Sequence, residues 1–443
     1  LAKELDVDYF ETLAKLQKPN SRWQYVARRV PSTIADSVIT KVQAAVKRQI
    51  TDPERKKVPF GGLYTEPDTL RIYPAKDVAA NLLGFLRDDG KAAGGLEMAF
   101  DSTLSGKDGS ETYEVGNGNR IPLGENSIKA PVDGKPVRLT IDRDLQWYAQ
   151  RILRTAIQSS RSDSGSVVVL NTKTAELLAL ADYPTFDAND PSTAKAGDLG
   201  ARAVSDVFEP GSVQKVLTVS SLLDRNLVTP RTKVKVPAVL PVQDRVIHDW
   251  FPHDTIKLTM TGVIARSSNI GTAMAASKLE PRELHDYLAN FGLGEKLDLG
   301  LSGTSRGILP PYQSWQPVNE ATIAFGQGVS VNAVQMAAAV NAVANKGEYV
   351  TPSLIQGTAE TSGGAKVGTD TSTRHRVISE TAATKMARMM EMVVNPETGT
   401  APGAQVQGYR VSGKTGTAQR VGAKCRCYDG TFTVSFAGFA PAD

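Results

Sequence analysis

The sequence predicts an α+β protein of two domains in series, on three observations. The chain has 443 residues, well beyond the roughly 150 of an average domain. Its texture changes near residue 136, where a turn-rich stretch gives way to well-spaced helices and strands. Beyond that point, apolar strands at both ends enclose a mainly helical middle, a pattern of segregated layers rather than alternating βαβ units. Composition agrees, since 41% hydrophobic and 22% charged residues is ordinary for a globular chain.

Taken in order, residues 23–30 and 34–39 read as packing segments around a helix. After Gly61-Gly62, residues 69–74 alternate like a strand. Residues 75–83 read as an amphipathic helix closed by Gly84, and 94–101 open another. Residues 107–136 are rich in Gly, Asn and Pro, which marks hairpins and a linker, so the domains divide as 1–135 and 136–443. Residues 137–141 then read as a strand, with Asp142 as N-cap of a helix over 145–159. Apolar runs at 165–170 and 176–182, joined by the turn 171–174, form a hairpin. Helices follow over 214–223, 258–265, 281–291, 333–344 and 380–394, and Met386, Met389, Met390 and Met392 on the last belong to the core. Residues 362–373, with few apolar side chains, read as a mobile surface loop. Strands 409–418 and 432–439 close the chain, and no internal repeat is evident.

Several function classes fall away. The net charge is +4, from 51 basic and 47 acidic residues, with no cationic cluster beyond Arg55-Lys56-Lys57. That is no footprint for nucleic acid. No run approaches the roughly 20 apolar residues of a spanning helix; the best, 166–181, is interrupted by Asn171, Lys173 and Glu176. The two cysteines, Cys425 and Cys427, make no disulfide framework and are read equally as a tight disulfide or as two thiols. His248, Asp249, His253 and Asp254 contain donors of the kind that bind zinc. A loop ahead of Ser267 accounts for them as well, and His285 and His375 are structural or exposed.

Three short motifs carry chemistry. In Glu209-Pro210-Gly211-Ser212-Val213-Gln214-Lys215, Pro and Gly break the chain so that Ser212 opens a helix. Spacing i, i+3 puts Ser212 and Lys215 on one face, where a neutral lysine amine can take the serine proton. Lysine titrates near 10.4 in water, so burial or a neighbouring cation must depress it. In Ser267-Ser268-Asn269, Ser267 suits proton relay and Asn269 suits a substrate amide, although Ser and Asn are also favoured helix caps. In Lys414-Thr415-Gly416-Thr417, a cation and two hydroxyls on a strand suit a carboxylate, and Gly416 permits close approach of a ligand backbone. Each motif alone has a bland explanation. Their order does not: S-x-x-K at a helix start, S-x-N 55 positions later, and K-T-G on a late strand.

With these motifs the chain resembles the class B penicillin-binding proteins over nearly its whole length. Thr140-Ile141-Asp142, Pro184-Thr185-Phe186-Asp187, Phe208-Glu209-Pro210-Gly211-Ser212 and Ala321 to Gly328 with Gln335 extend the match. Arg71-Ile72-Tyr73-Pro74, Gly95-Leu96-Glu97 and Leu104-Ser105-Gly106 resemble the non-catalytic pedestal domain. The resemblance implies a penicillin-binding/serine β-lactamase-like transpeptidase domain, an antiparallel sheet flanked by helices, after a smaller mixed α/β pedestal of dimerisation type. It implies a membrane helix ahead of this chain, an extracytoplasmic location, and a further strand and helix after Asp443.

For chemistry, the resemblance implies peptidoglycan DD-transpeptidation with no cofactor and no metal. Ser212 takes the acyl group of a D-Ala-D-Ala stem peptide and Lys215 acts as base. Ser267 and Lys414 relay protons, and the N–H groups of Ser212 and Thr417 form the oxyanion hole. Asn269, Thr415, Gly416 and Thr417 bind substrate. Implied partners are stem peptides, β-lactams, and a polytopic glycosyltransferase with other division proteins. Two alternatives share the motifs: a β-lactamase-type hydrolase and a catalytically silent penicillin-recognising scaffold.

Overall fold

The computed structural model describes residues 1–21, 23–51, 62–66, 70–87, 89–116, 119–121, 126–422 and 427–442. They fall into two compact units, Leu1–Pro74 with Leu86–Lys91, and Ala75–Phe85 with Ala92–Asp443.

The smaller unit rests on helices α1 (Tyr9–Leu16) and α2 (Ser32–Gln49). Asp8 caps α1 by accepting the Glu11 N–H at 2.7 Å. Trp23 and Tyr25 pack edge to face, with the Arg28 guanidinium 4.9 Å from the centre of the Tyr25 ring. The strand expected at 69–74 does not form over residues 70–74; Thr69 lies outside the described residues. Alternation makes a strand only where another backbone completes the ladder.

In the larger unit, the helix expected at 75–83 keeps only its last turn, Ala80–Leu83 (α3). Lys76 and Ala79 adopt left-handed conformations (φ 54° and 58°) that break the regular spiral before it. Gly84 follows at φ 78°, where a Cβ would fall 1.9 Å from the Gly94 carbonyl oxygen. Helices Gly95–Ala99 and Asp101–Leu104 come next. Short antiparallel pairs Ser110–Thr112 with Ser127–Lys129, and Val115–Gly116 with Asn119–Arg120, occupy the turn-rich stretch. Residues 137–141 are not a strand: Leu139 makes a single bridge to Ile355, and Thr140 donates to the Leu354 carbonyl.

Helix α4 (Arg143–Ser160) starts where its cap predicts, with the Asp142 carboxylate accepting the Leu145 N–H at 2.8 Å. Its apolar face, including Ala149 and Leu153, packs on Ala179 and Ala181 of the hairpin β1 (Gly165–Leu170) and β2 (Leu177–Tyr183). Buried Gln146 uses both ends of its amide on the Leu180 backbone, satisfying groups that burial would otherwise leave unpaired.

The centre of this unit is α5 (Gln214–Asp224), buried at every residue from Gln214 to Leu223. It shares one apolar core with α6 (Met260–Ala265), α7 (Asn269–Ala276), α8 (Pro281–Asn290), α9 (Ala333–Ala344) and α10 (Glu380–Val394). Met386, Met389 and Met390 lie in that core. The helix expected over 258–265 is split, because 256–259 pair as a strand with 233–236. The Thr259 hydroxyl then caps α6 by accepting the Gly262 N–H. Strands β3 (Ser412–Val421) and β4 (Tyr428–Phe439) form an antiparallel hairpin with Lys414 opposite Ala437. The loop expected at 362–373 is held by the pair 359–360 with 366–367 and by the turn Thr369–Thr371. Among the described residues every named antiparallel ladder is two-stranded.

Candidate functional site

The Ser212 motif is shaped by Gly211. Its φ of +51° is strained for any residue with a Cβ, and a Cβ there would sit 2.8 Å from the Thr417 carbonyl oxygen. The chain can therefore turn tightly beneath β3, and the Gly211 N–H donates to the Gly326 carbonyl at 3.0 Å. One turn of 3-10 helix, Gly211–Val213, carries Ser212 into α5. One turn on, the Lys215 Nζ lies 2.9 Å from the Ser212 Oγ.

Lys215 is fully buried. Its Nζ also lies 2.7 Å from the Ser267 carbonyl oxygen, 2.7 Å from the Asn269 Oδ1 and 3.3 Å from the Ser267 Oγ. A neutral amine has two N–H donors and one lone pair. The two carbonyl-type oxygens can only accept, so they take the two N–H groups. The Ser212 hydroxyl can donate, and it is the group left facing the lone pair. Burial, then the nearby Lys414 cation, holds the Lys215 ammonium well below the usual lysine range, while Asp249 pulls the other way. The arrangement suits proton transfer from Ser212 to Lys215.

Ser267 joins α6 to α7 in a left-handed conformation, φ +57°, which is sparsely populated for a serine. Its Oγ receives the Lys414 Nζ at 2.8 Å and so stands between the two lysines. Lys414 also donates to its neighbour's carbonyl, Thr415 O, at 3.0 Å, and burial brings its ammonium down to about 7. The Thr415 hydroxyl pairs with that of Thr400 at 3.1 Å, while Thr417 is exposed. Gly416 is buried against Pro210, where a Cβ would lie 2.9 Å from the Pro210 carbonyl oxygen. Asn269 spends Oδ1 on Lys215 and donates through Nδ2 to the His248 carbonyl at 2.9 Å. Ser212, Lys215, Ser267, Asn269 and Lys414 are thus joined by hydrogen bonds, and Gly416 and Thr417 flank the Ser212 turn.

Sequence reasoning named Asp249 only as a candidate zinc donor or loop residue and missed its place beside the Ser-Ser-Asn turn. Its carboxylate is wholly buried and accepts from the Ser268 Oγ at 2.6 Å, from the Ile270 N–H at 3.0 Å, and pairs with the His253 ring at 3.1 Å. Ser268 in turn caps α7 by accepting the Gly271 N–H at 2.9 Å. The Trp250 indole N–H donates to the Arg266 carbonyl at 2.8 Å. The polar cluster at 248–254 therefore braces the Ser-Ser-Asn turn from outside. The signal was the dense His/Asp pattern itself. Among the described residues no group of three or more His, Cys, Asp or Glu is placed to hold a metal ion. Cys427 is disulfide-bonded, and Cys425 lies outside the described residues.

Residues 165–443 match the family described as the penicillin binding protein transpeptidase domain, and residues 1–139 match the penicillin-binding protein dimerisation domain. The chain is 36% identical to the penicillin-binding protein PbpB of Mycolicibacterium smegmatis, across 98% of this chain and 65% of that protein. It is 30% identical to the peptidoglycan D,D-transpeptidase FtsI of Escherichia coli, across 100% of this chain and 70% of that protein. Among solved structures, the apo form of penicillin binding protein 3 from Mycobacterium tuberculosis superposes with a TM-score of 0.76 at 35% identity, covering 84% of this chain and 82% of that one. The same protein complexed with aztreonam gives a TM-score of 0.74 at 36% identity, covering 84% and 81%. The chain spans 65% of the length of the Mycolicibacterium smegmatis PbpB and 62% of that of the PbpB of Mycobacterium tuberculosis. Among the described residues, no helix is long and apolar enough to cross a membrane.

Proposed function

The chain belongs to the class B penicillin-binding proteins, and from that premise we propose that it is a peptidoglycan D,D-transpeptidase with Ser212 as nucleophile. One observation carries the proposal: the Ser212 Oγ lies 2.9 Å from a fully buried Lys215 amine whose two closest other contacts are pure acceptors. The Ser212 oxygen attacks the carbonyl carbon between the two terminal D-alanines, and its proton passes to Lys215. The N–H groups of Ser212 and Thr417 hold the oxyanion. Collapse breaks the C–N bond. The leaving D-alanine amine takes a proton delivered from Lys215 along Ser267 and Lys414, whose side chains touch in series. The amine of a neighbouring stem then attacks the ester, loses its proton to the same relay and frees Ser212. Thr415, Gly416 and Thr417 receive the substrate carboxylate end, and Asn269 its backbone. β-Lactams acylate the same serine.

On this reading residues 1–135 serve as pedestal and 136–443 as transpeptidase, in a protein anchored to the membrane with this part outside it. A polytopic glycosyltransferase of the division machinery is its partner. The test is mass spectrometry of the protein after penicillin exposure. One adduct on the peptide containing Ser212, absent from Ser212→Ala, is expected; an adduct elsewhere, or none, refutes the assignment. Steady nitrocefin turnover at roughly one per second or faster would make it a hydrolase instead.

A further inference from the structure

Glu209, three residues ahead of Ser212, uses both carboxylate oxygens on distant parts of the chain. Its Oε1 accepts the Gly328 N–H at 2.8 Å, and its Oε2 accepts the Tyr428 hydroxyl at 3.1 Å. The Gly328 turn is itself pinned to the nucleophile turn, because Gly211 donates to Gly326 and a Cβ on Gly326 would lie 2.1 Å from the Gly211 carbonyl oxygen. Phe208, next to Glu209, exchanges two backbone hydrogen bonds with Val331, three residues beyond Gly328, at 2.9 and 3.0 Å.

Tyr428 opens β4 and stands opposite Val421, at the far end of the hairpin that carries Lys414 to Thr417. The hairpin's near end is tied to α10 by Ser412, whose hydroxyl donates to the Ala387 carbonyl at 2.8 Å. Residues 412–418 are mostly buried, but 419–421 and 428–432 are exposed, so the far end of the hairpin has little packing of its own to hold it. Toward the far end β3 also carries the exposed Arg420–Asp163 pair at 3.3 Å, and exposed pairs contribute little. The Tyr428–Glu209 bond is exposed too, but it is charge-assisted and therefore the stronger kind of hydrogen bond; burial and then the Glu209 charge push the phenol up to about 12.

We propose that Glu209 and Tyr428 are positioning residues that latch hairpin β3–β4 to the nucleophile turn and so fix the spacing of Ser212 and Thr417. This rests on the acyl-transfer reading above, since the Ser212–Thr417 spacing matters there as the width of the oxyanion site. Misplacing a reacting group by about 1 Å can lower a rate by about a hundredfold, so a loosened latch is read in the acylation step before it is read in binding.

The test is stopped-flow acylation by a fluorescent penicillin, on the full-length protein and on Tyr428→Phe, Glu209→Gln and the double variant. Tyr428→Phe keeps the ring and loses only the hydroxyl. It is expected to lower the acylation rate constant roughly tenfold while leaving the dissociation constant of the pre-acylation complex unchanged. The double variant is expected to be no slower than the slower single one, as for two groups acting as a unit. Parental acylation by Tyr428→Phe, or losses that multiply in the double variant, overturn the latch. So does a lower Tm with an unchanged acylation rate constant, which is the mark of a merely structural role. If the parent protein takes no label at Ser212, the acyl-transfer reading falls, and amide exchange decides the latch separately. Faster exchange along β3 in Tyr428→Phe supports it, and unchanged exchange overturns it.

Discussion

Replacing Lys414 with methionine removes a cation from the interior while nearly conserving volume. Lys414 is fully buried, and burial lowers its ammonium from 10.5 to about 7. Between those values the unfolded chain binds a proton that the folded protein does not. Stability therefore rises with pH across that window, at about 1.4 kcal/mol per pH unit. Below about 7 both states are protonated and the burial penalty is whole, about 5 kcal/mol at 1.36 kcal/mol per pKa unit. From pH 7 to 9.5 the parent should gain about 3 kcal/mol relative to Lys414→Met, which has no such group. Lys215 contributes a slope of the same sign to both proteins. Urea unfolding at constant ionic strength across this range measures the difference. Parallel stability curves for parent and variant would refute the reasoning, as would a parent that loses ground as pH rises. Penicillin acylation of the variant should fall by about a hundredfold or more, because the relay through Ser267 loses its donor.

Asp249→Asn keeps the shape of the brace but removes the charge that Ser268, Ile270 and His253 share. It should cost about 2–4 kcal/mol in thermal or urea unfolding and slow acylation, because the Ser267 turn loosens. Gly211→Ala puts a Cβ at φ +51° and 2.8 Å from the Thr417 carbonyl oxygen. It should lower penicillin labelling by about a hundredfold or more, with a soluble, folded protein by circular dichroism. Asp182 is buried with one oxygen unpaired, and burial first of all raises its carboxyl to about 6. Because that value lies above the usual 3.8, the folded protein holds a proton between about pH 4 and 6 that the unfolded chain has already lost, so stability falls as pH rises through that window. Asp182→Asn should therefore flatten that part of the stability profile.

The helices over 333–344 and 380–394 were legible to the residue because spacing and caps are local: Asn332 and Ser379 each accept a backbone N–H inside their own first turn. Strands were legible only where the partner was next in sequence, as in the hairpin 165–183. Residues 137–141 look like a strand but meet a backbone more than two hundred positions away, at Leu354 and Ile355, in a single bridge. The boundary at 256–260 was blurred for the same reason, since Ile256–Thr259 take their partner from 233–236. In the candidate site, motif order pointed to Ser212, Lys215, Ser267 and Lys414. It gave no view of Asp249, whose role appears only when the chain folds its carboxylate against Ser268, or of Glu209, whose contacts lie 119 and 219 positions away.

Helix α5 carries Lys215 and continues the turn that holds Ser212, yet it is also the central beam of the larger unit, with no solvent-facing side from Gln214 to Leu223. A substitution on it disturbs packing before it alters selectivity, and large-to-small changes in such a core cost about 2–5 kcal/mol. The walls are different. Residues 248–254 and hairpin β3–β4 include exposed side chains such as His248 and Thr417, which can change at little expense to folding. A lineage under pressure to admit or refuse a new ligand is thus channelled toward those walls, while the beam stays as it is.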